Sequence, residues 1–215
     1  MGTGPDAALS LRERQKQQTR SHLLETSARL IGERGYKAST IEDIARAAGM
    51  SRATVYSYFP SKEAIVRGLV VELWDGAEEL YVEFGRLTEW SRPTVRGWVQ
   101  MVVETWERSG DRLRVGAARL VDYDDFYLDY HRRFVRALTA DEQLWARFPA
   151  DEAERRALLL ISGLELFLNT WLVRGWAHDR EGAIDTLTDV WRATLNAEEP
   201  AAGGRARRGG RATAR

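Results

Sequence analysis

The chain contains no cysteine, only three histidines and five prolines in 215 residues, and its formal charges cancel to zero. Without cysteine there are no disulfides, no thiolate metal ligands and no cysteine nucleophile, and a cytoplasmic location is the simplest expectation. His22, His131 and His178 stand apart, with no Glu or Cys at ligand spacing, so no metal site is expected. A Gly-rich phosphate loop and a Gly-x-Ser-x-Gly turn are both missing, which leaves no motif for an enzyme and no cofactor to expect. The acidic run Asp122, Asp124, Asp125 and Asp129 lacks the glycine and closing glutamate of a calcium loop and reads as a solvated helix face. Long apolar runs are absent too. The richest, Leu158 to Val173, is cut by Ser162, Glu165 and Asn169, so no bilayer span and no membrane partner are expected. Met1 to Arg20 shows no apolar stretch of the kind a secretory signal needs.

What is present is a globular composition, 44% hydrophobic and 30% charged, with charge sorted along the chain. Residues 1–62 carry 10 Lys/Arg against 6 Asp/Glu, a net of +4; residues 63–196 carry 17 against 24, a net of −7. A basic head on an acidic body points to a polyanion meeting the head. Four regions follow: an arm over 1–14, a head over 15–62 whose linking helix runs from 61 to about 80, a body over 81–196, and a basic tail over 197–215. Arm and tail read as disordered. The arginines of the tail fit either extra affinity for a polyanion or a solubilising terminus.

In the head, helical periodicity begins near Lys16 and ends at Gly35, with Leu23, Leu24, Ala28, Leu30 and Ile31 on the inner stripe. Thr40 caps a short helix, with Asp43 approximating a capping box, and Gly49 stops it. Ser51 caps a second short helix that Pro60 keeps from extending. Two short helices joined at a glycine are the helix-turn-helix layout. Val55 and Phe59 anchor the second helix on one side. Its other edge, with Arg52, Thr54, Tyr56 and Tyr58, is free to enter a DNA major groove, where Arg reads guanine and the hydroxyls suit phosphates or a thymine methyl. A third helix opens at Ser61, where exposed amides and Lys62 make a phosphate clamp; the helix start at Thr40 offers another. Tyr58 fits a half-buried core aromatic equally well.

The stretch from Ala38 to Leu69, ASTIEDIARAAGMSRATVYSYFPSKEAIVRGL, resembles the DNA-binding domain of the TetR family, with Ala28 and Gly35-Tyr36 upstream fitting as well. That resemblance implies an all-α regulator of about nine helices: a three-helix head on a larger ligand-binding and dimerisation body. It implies DNA-backbone contacts from Thr40, Tyr56 and Lys62 and base or mixed contacts from Arg52, Thr54 and Tyr58; Ser51 serves chiefly as the cap. The partners implied are double-stranded DNA, a second copy of the chain and a small effector. Regulation is expected to be repression through a roughly palindromic operator, relieved by an apolar or aromatic molecule; an activator or architectural binder of the same fold is the alternative.

The body matches the family more loosely. VVETW and DTLTDVW are similar to segments of a mycobacterial repressor of that family, which favours an apolar pocket. All eight tryptophans lie between Trp74 and Trp191, and the expected pocket lining is Trp98, Val102, Trp106, Phe126, Tyr130, Phe134, Phe167 and Trp171. Helices near 153–174 and 182–195 are apolar on more than one face and are the expected dimer surface.

Overall fold

The computed structural model describes residues 10–117 and 124–195. The expectations for residues 1–9, for the tail and for Asp122, together with the side chains of Asp124 and Asp125, fall outside that range. Among the described residues there are nine α-helices and no strand: α1 (Leu11–Arg34), α2 (Ile41–Ala47), α3 (Arg52–Tyr58), α4 (Lys62–Gly85), α5 (Arg92–Ala117), α6 (Asp124–Leu138), α7 (Glu142–Trp145), α8 (Ala150–Leu168) and α9 (Arg180–Thr194).

Helix α1 starts at Leu11, not near Lys16, so Leu11 to Arg14 belong to a helix and not to an arm. The signal is a capping box. Ser10 Oγ accepts the Glu13 N–H at 3.2 Å, and the Glu13 carboxylate accepts the Ser10 N–H at 2.8 Å. Such a pair can start a helix whose first turns have no apolar stripe, and periodicity alone therefore places the start too late.

The head has its own core. Leu23, Leu24 and Ile31 of α1 pack on Ile44 of α2 and on Val55 and Phe59, and the core is closed by Ile65, Val66 and Leu69 of α4 with Val115 of α5. The two seven-residue helices α2 and α3 leave one side of α1 bare, so the head draws on α4 well past residue 62. The body core gathers the later half of α4 with α5, α6, α7, α8 and α9. Phe84, Trp98 and Trp191 sit at its centre, with ring centroids 4.5–5.1 Å apart. The buried indole N–H groups are satisfied: Trp98 donates to Leu80 O at 2.7 Å and Trp145 to Leu138 O at 3.0 Å.

Helix α8 runs on through a π-helical turn, Asn169–Val173. The combined segment Ala150–Val173 is long and apolar enough, by length and composition, to cross a membrane, and a third of its most apolar window is buried. This corrects the expectation that no stretch approaches a span: Ser162 and Asn169 lower the mean hydropathy too little to interrupt it. In this fold the segment lies against α6 and α9, with Leu158, Leu159 and Leu166 facing outward.

Candidate functional site

The turn between α2 and α3 is built on Gly49, whose φ of 68° is a left-handed conformation that costs a residue with a Cβ. The chain then returns so that the Met50 N–H reaches Ala45 O at 2.9 Å. Helix α3 is held by Val55 and Phe59, both essentially fully buried. On its other side Arg52, Ala53, Tyr56 and Ser57 are exposed, Tyr56 by 46%. The polar edge of α3 is therefore not packed into the interior. Arg52 Nε donates to Glu42 on α2 at 2.9 Å, which steadies the guanidinium without covering it.

The other expected DNA contacts carry internal bonds. Ser51 Oγ accepts the Thr54 N–H at 3.0 Å and shares a hydrogen with Thr54 Oγ1 at 2.8 Å, so both side chains belong to the α3 cap. Thr40 uses its hydroxyl and its N–H on Asp43 Oδ2, at 2.6 and 3.2 Å, and accepts the Asp43 N–H at 3.1 Å. Those bonds, with the hydroxyl foremost, hold the Asp43 carboxyl below the usual range. A carboxylate thus occupies the α2 start that the sequence offered to phosphate. Tyr58 is half-buried against the head core.

Lys62 carries internal bonds that the sequence did not signal. Its ammonium donates to Tyr36 O at 2.7 Å and to Ser39 O at 2.8 Å, and lies 4.1 Å from the centre of the Tyr36 ring. The Tyr36 hydroxyl donates to Glu63 at 2.7 Å. Partial burial, with the Glu63 carboxylate beside it, pushes the Tyr36 phenol up to about 12. Lys62 is first a lock on the α1–α2 connection, with one ammonium hydrogen left for an outside acceptor. Sequence reasoning passed over Lys37, exposed just before α2, and Arg46, exposed in its last turn; among the described residues Arg46 pairs with Asp43, at 3.4 Å.

In the body, a cleft of about 390 Å³ opens between α4, α5, α6 and α8. Of the eight expected lining residues, Trp106 borders it. Trp98, Val102 and Phe134 are core. Tyr130 is buried, its hydroxyl donating to Asp75 at 2.7 Å. Phe126 stands edge-on to Trp74 at 5.2 Å, while Phe167 and Trp171 pack on His178 at 5.2 and 6.1 Å. The aromatics fill space by packing on one another. The opening comes from small residues instead, Gly76, Ala77, Ser109 and Gly116 among them. A second, more open groove of about 750 Å³ lies between α6, α7 and α8, with Val135, Trp145 and Phe148 among its lining.

Two polar arrangements border the cleft. Glu72 on α4 accepts from Arg20 of α1 at 2.9 Å and from Arg112 of α5 at 3.2 Å, joining head and body through one carboxylate. His131, nearly fully buried, has Nδ1 2.8 Å from Tyr127 O and Nε2 3.3 Å from the Glu165 carboxylate. Both ring nitrogens face acceptors, which favours the imidazolium. Burial opposes that charge but is outweighed by the hydrogen bond and charge of Glu165 and by the Tyr127 carbonyl, so the pKa lies above its ordinary value.

A helix-turn-helix whose reading edge faces outward, on an all-helical body with its own core, defines a DNA-binding transcriptional regulator. Comparison with known proteins agrees. Residues 23–69 match the family described as "Bacterial regulatory proteins, tetR family". The chain is 31% identical over 167 residues to the HTH-type transcriptional regulator BetI of Rhizobium meliloti, covering 67% of this chain and 75% of that protein. It is 25% identical over 182 residues to the HTH-type transcriptional regulator EthR of Mycolicibacterium smegmatis, covering 79% of this chain and 82% of the relative. The crystal structure of PfmR, a TetR-family regulator from Thermus thermophilus, superposes with a TM-score of 0.62 at 18% identity, over 83% of this chain and 99% of that one. The chain belongs to the TetR family.

Proposed function

We propose that the chain is a repressor that binds a roughly palindromic operator as a homodimer and lets go when a small, largely apolar molecule enters the body cleft. The observation that carries the reading is the outward edge of α3: Arg52 and Tyr56 are exposed on a helix that Val55 and Phe59 fix from behind. Arg52 reads a base edge, and Tyr56 and the spare hydrogen of Lys62 meet the backbone, while Ser51, Thr54 and Thr40 set the helix ends. Lys37 and Arg46 add backbone charge beside them. Pairing is supported by the apolar outer face of α8, with Leu159 and Leu166 exposed by 68% and 69%, and by Val190 on α9. Two heads then reach half-sites about one helical turn apart, roughly 34–36 Å. The setting is the cytoplasm, beside the nucleoid.

The test is a gel shift on the DNA flanking the gene, with Arg52→Ala and Tyr56→Phe. Loss of an arginine that reads a base costs about 1–3 kcal/mol and relaxes sequence preference, whereas loss of a backbone contact weakens all sequences alike. Unchanged binding by both variants would remove α3 as the reader.

A further inference from the structure

Glu72 is one carboxylate between two guanidinium groups, Arg20 at 2.9 Å and Arg112 at 3.2 Å, so this end of the cleft holds one positive charge in excess. The nearest other acid on α5, Asp111, is taken by Arg114. Arg112 borders the cleft and has Glu72 as its single ion-pair partner among the described residues, so most of its donor fork is uncommitted. The other acid on the walls, Glu165, faces the His131 ring nitrogen at 3.3 Å; apart from it and a few neutral polar groups the walls are apolar, with Val70, Leu73, Trp74, Leu80, Trp106 and Leu113. A largely apolar cleft with a guanidinium at one end is matched by a molecule with a carboxylate at one end and a hydrocarbon or aromatic body.

We propose that the cleft binds an amphipathic carboxylic acid whose carboxylate takes Arg112 away from Glu72. This rests on the ligand-responsive reading above and names the effector's chemistry and its route to the head. A bound carboxylate offers Arg112 a bidentate partner and repels Glu72. Glu72 then holds Arg20 alone. Arg20 lies over the Phe59 ring, 5.3 Å from its centre, and Phe59 anchors the end of α3. Gly68 belongs to the same contact: a Cβ there would lie 3.1 Å from Arg20 and 3.2 Å from Phe59. Breaking the shared carboxylate therefore loosens the join between α1, α4 and α5 at the place where the reading helix is seated. The effector biases the head because it binds the state without the Glu72–Arg112 pair more tightly.

The probes are decanoate and 3-phenylpropionate, each beside its neutral amide, titrated into the full chain by calorimetry and by tryptophan fluorescence, since Trp74 and Trp106 border the cleft. At least one acid should bind roughly tenfold or more tightly than its amide. Arg112→Gln should erase that preference, read as the ratio of acid to amide affinity within the same variant, with an unchanged helical circular-dichroism spectrum as the check that the variant folds. Glu72→Gln should strengthen acid binding, because the competing carboxylate is gone. Acids that bind no better than their amides, or a preference that survives Arg112→Gln, would overturn the proposal. If the preference appears and depends on Arg112 while acid leaves operator binding unchanged, the cleft chemistry stands and only the effector reading of the regulator falls.

Discussion

The Lys62 ammonium reaches back across the head to the Tyr36 and Ser39 carbonyls at 2.7 and 2.8 Å, tying the first turn of α4 to the connection between α1 and α2. Ser39 is fully buried, so its carbonyl has little access to water once that donor is removed.

The first prediction follows from that tie. Lys62→Met should destabilise the chain by about 2 kcal/mol in urea denaturation, since hydrogen bonds from a charged donor are lost and their acceptors stay enclosed. DNA binding separates the two roles of the residue. If the remaining ammonium hydrogen meets a phosphate, the slope of log affinity against log salt drops by about one unit in the variant; a lysine used only as a lock leaves the slope unchanged.

Two glycines predict costs of different origin. At Gly49 a Cβ would meet nothing within 4 Å, but φ is 68°, so Gly49→Ala should cost about 1 kcal/mol from backbone conformation alone. Gly85 is an ordinary helical residue where a Cβ would lie 2.3 Å from the Ala137 carbonyl oxygen of α6. Gly85→Ala must push α4 and α6 apart and should cost roughly 2 kcal/mol or more. Denaturation midpoints measured side by side check the order; a Gly49 variant harmed more than the Gly85 variant would contradict it.

The head was readable from the sequence because its determinants are local. Gly35, Gly49 and Pro60 punctuate it, Thr40 and Ser51 cap its helices, and Val55 and Phe59 fall one helical turn apart, so each signal acts within a few residues of the element it sets. The cleft was not readable, because it depends on which side chains meet across the fold. Trp98 and Phe134 fit a pocket wall as well as a core until Phe84, Tyr81 and Trp191 are seen packed around them. A cavity is also a shortage of volume, here at Gly76, Ala77 and Gly116, and small residues carry no periodic signature that separates space from close packing. The internal bonds of Lys62 were hidden for a related reason. A lysine after a proline at a helix start looks solvent-facing until the carbonyls that take its hydrogens are placed in space.

The His131–Glu165 pair predicts a pH dependence. The folded imidazole has a pKa above its ordinary value of 6.5, so the fold binds its proton more tightly than the unfolded chain does. The resulting stability is fully present below 6.5 and is lost as pH rises through the raised folded value. Thermal melts across that window should fall more steeply toward alkaline pH for the natural chain than for Glu165→Gln, in which the partner charge is gone. Parallel curves would show that the imidazole is neutral in the fold.

The outer face of α8 makes the last prediction. Leu158, Leu159, Ser162, Gly163 and Leu166 are all exposed and recur at helical spacing on one side, and Thr186, Val190 and Ala193 do the same on α9. A Cβ at Gly163 would meet nothing within 4 Å, so room remains there for a neighbouring side chain. If two copies pair on this face, a carboxylate placed in its middle has no partner and must be desolvated. Leu159→Glu and Val190→Glu should each convert dimer to monomer in sedimentation velocity and lower operator affinity on the order of a hundredfold, since two half-sites then have to be bound independently. Leu11→Glu is the control: Leu11 is 66% exposed, but on α1, and its replacement should leave the assembly intact. The same apolar face is what a membrane-spanning helix would present. The two readings part cleanly: a natural chain that stays dimeric in buffer without detergent, and becomes monomeric on Leu159→Glu, assigns the face to a second copy, whereas a chain that enters lipid vesicles through α8 assigns it to the bilayer.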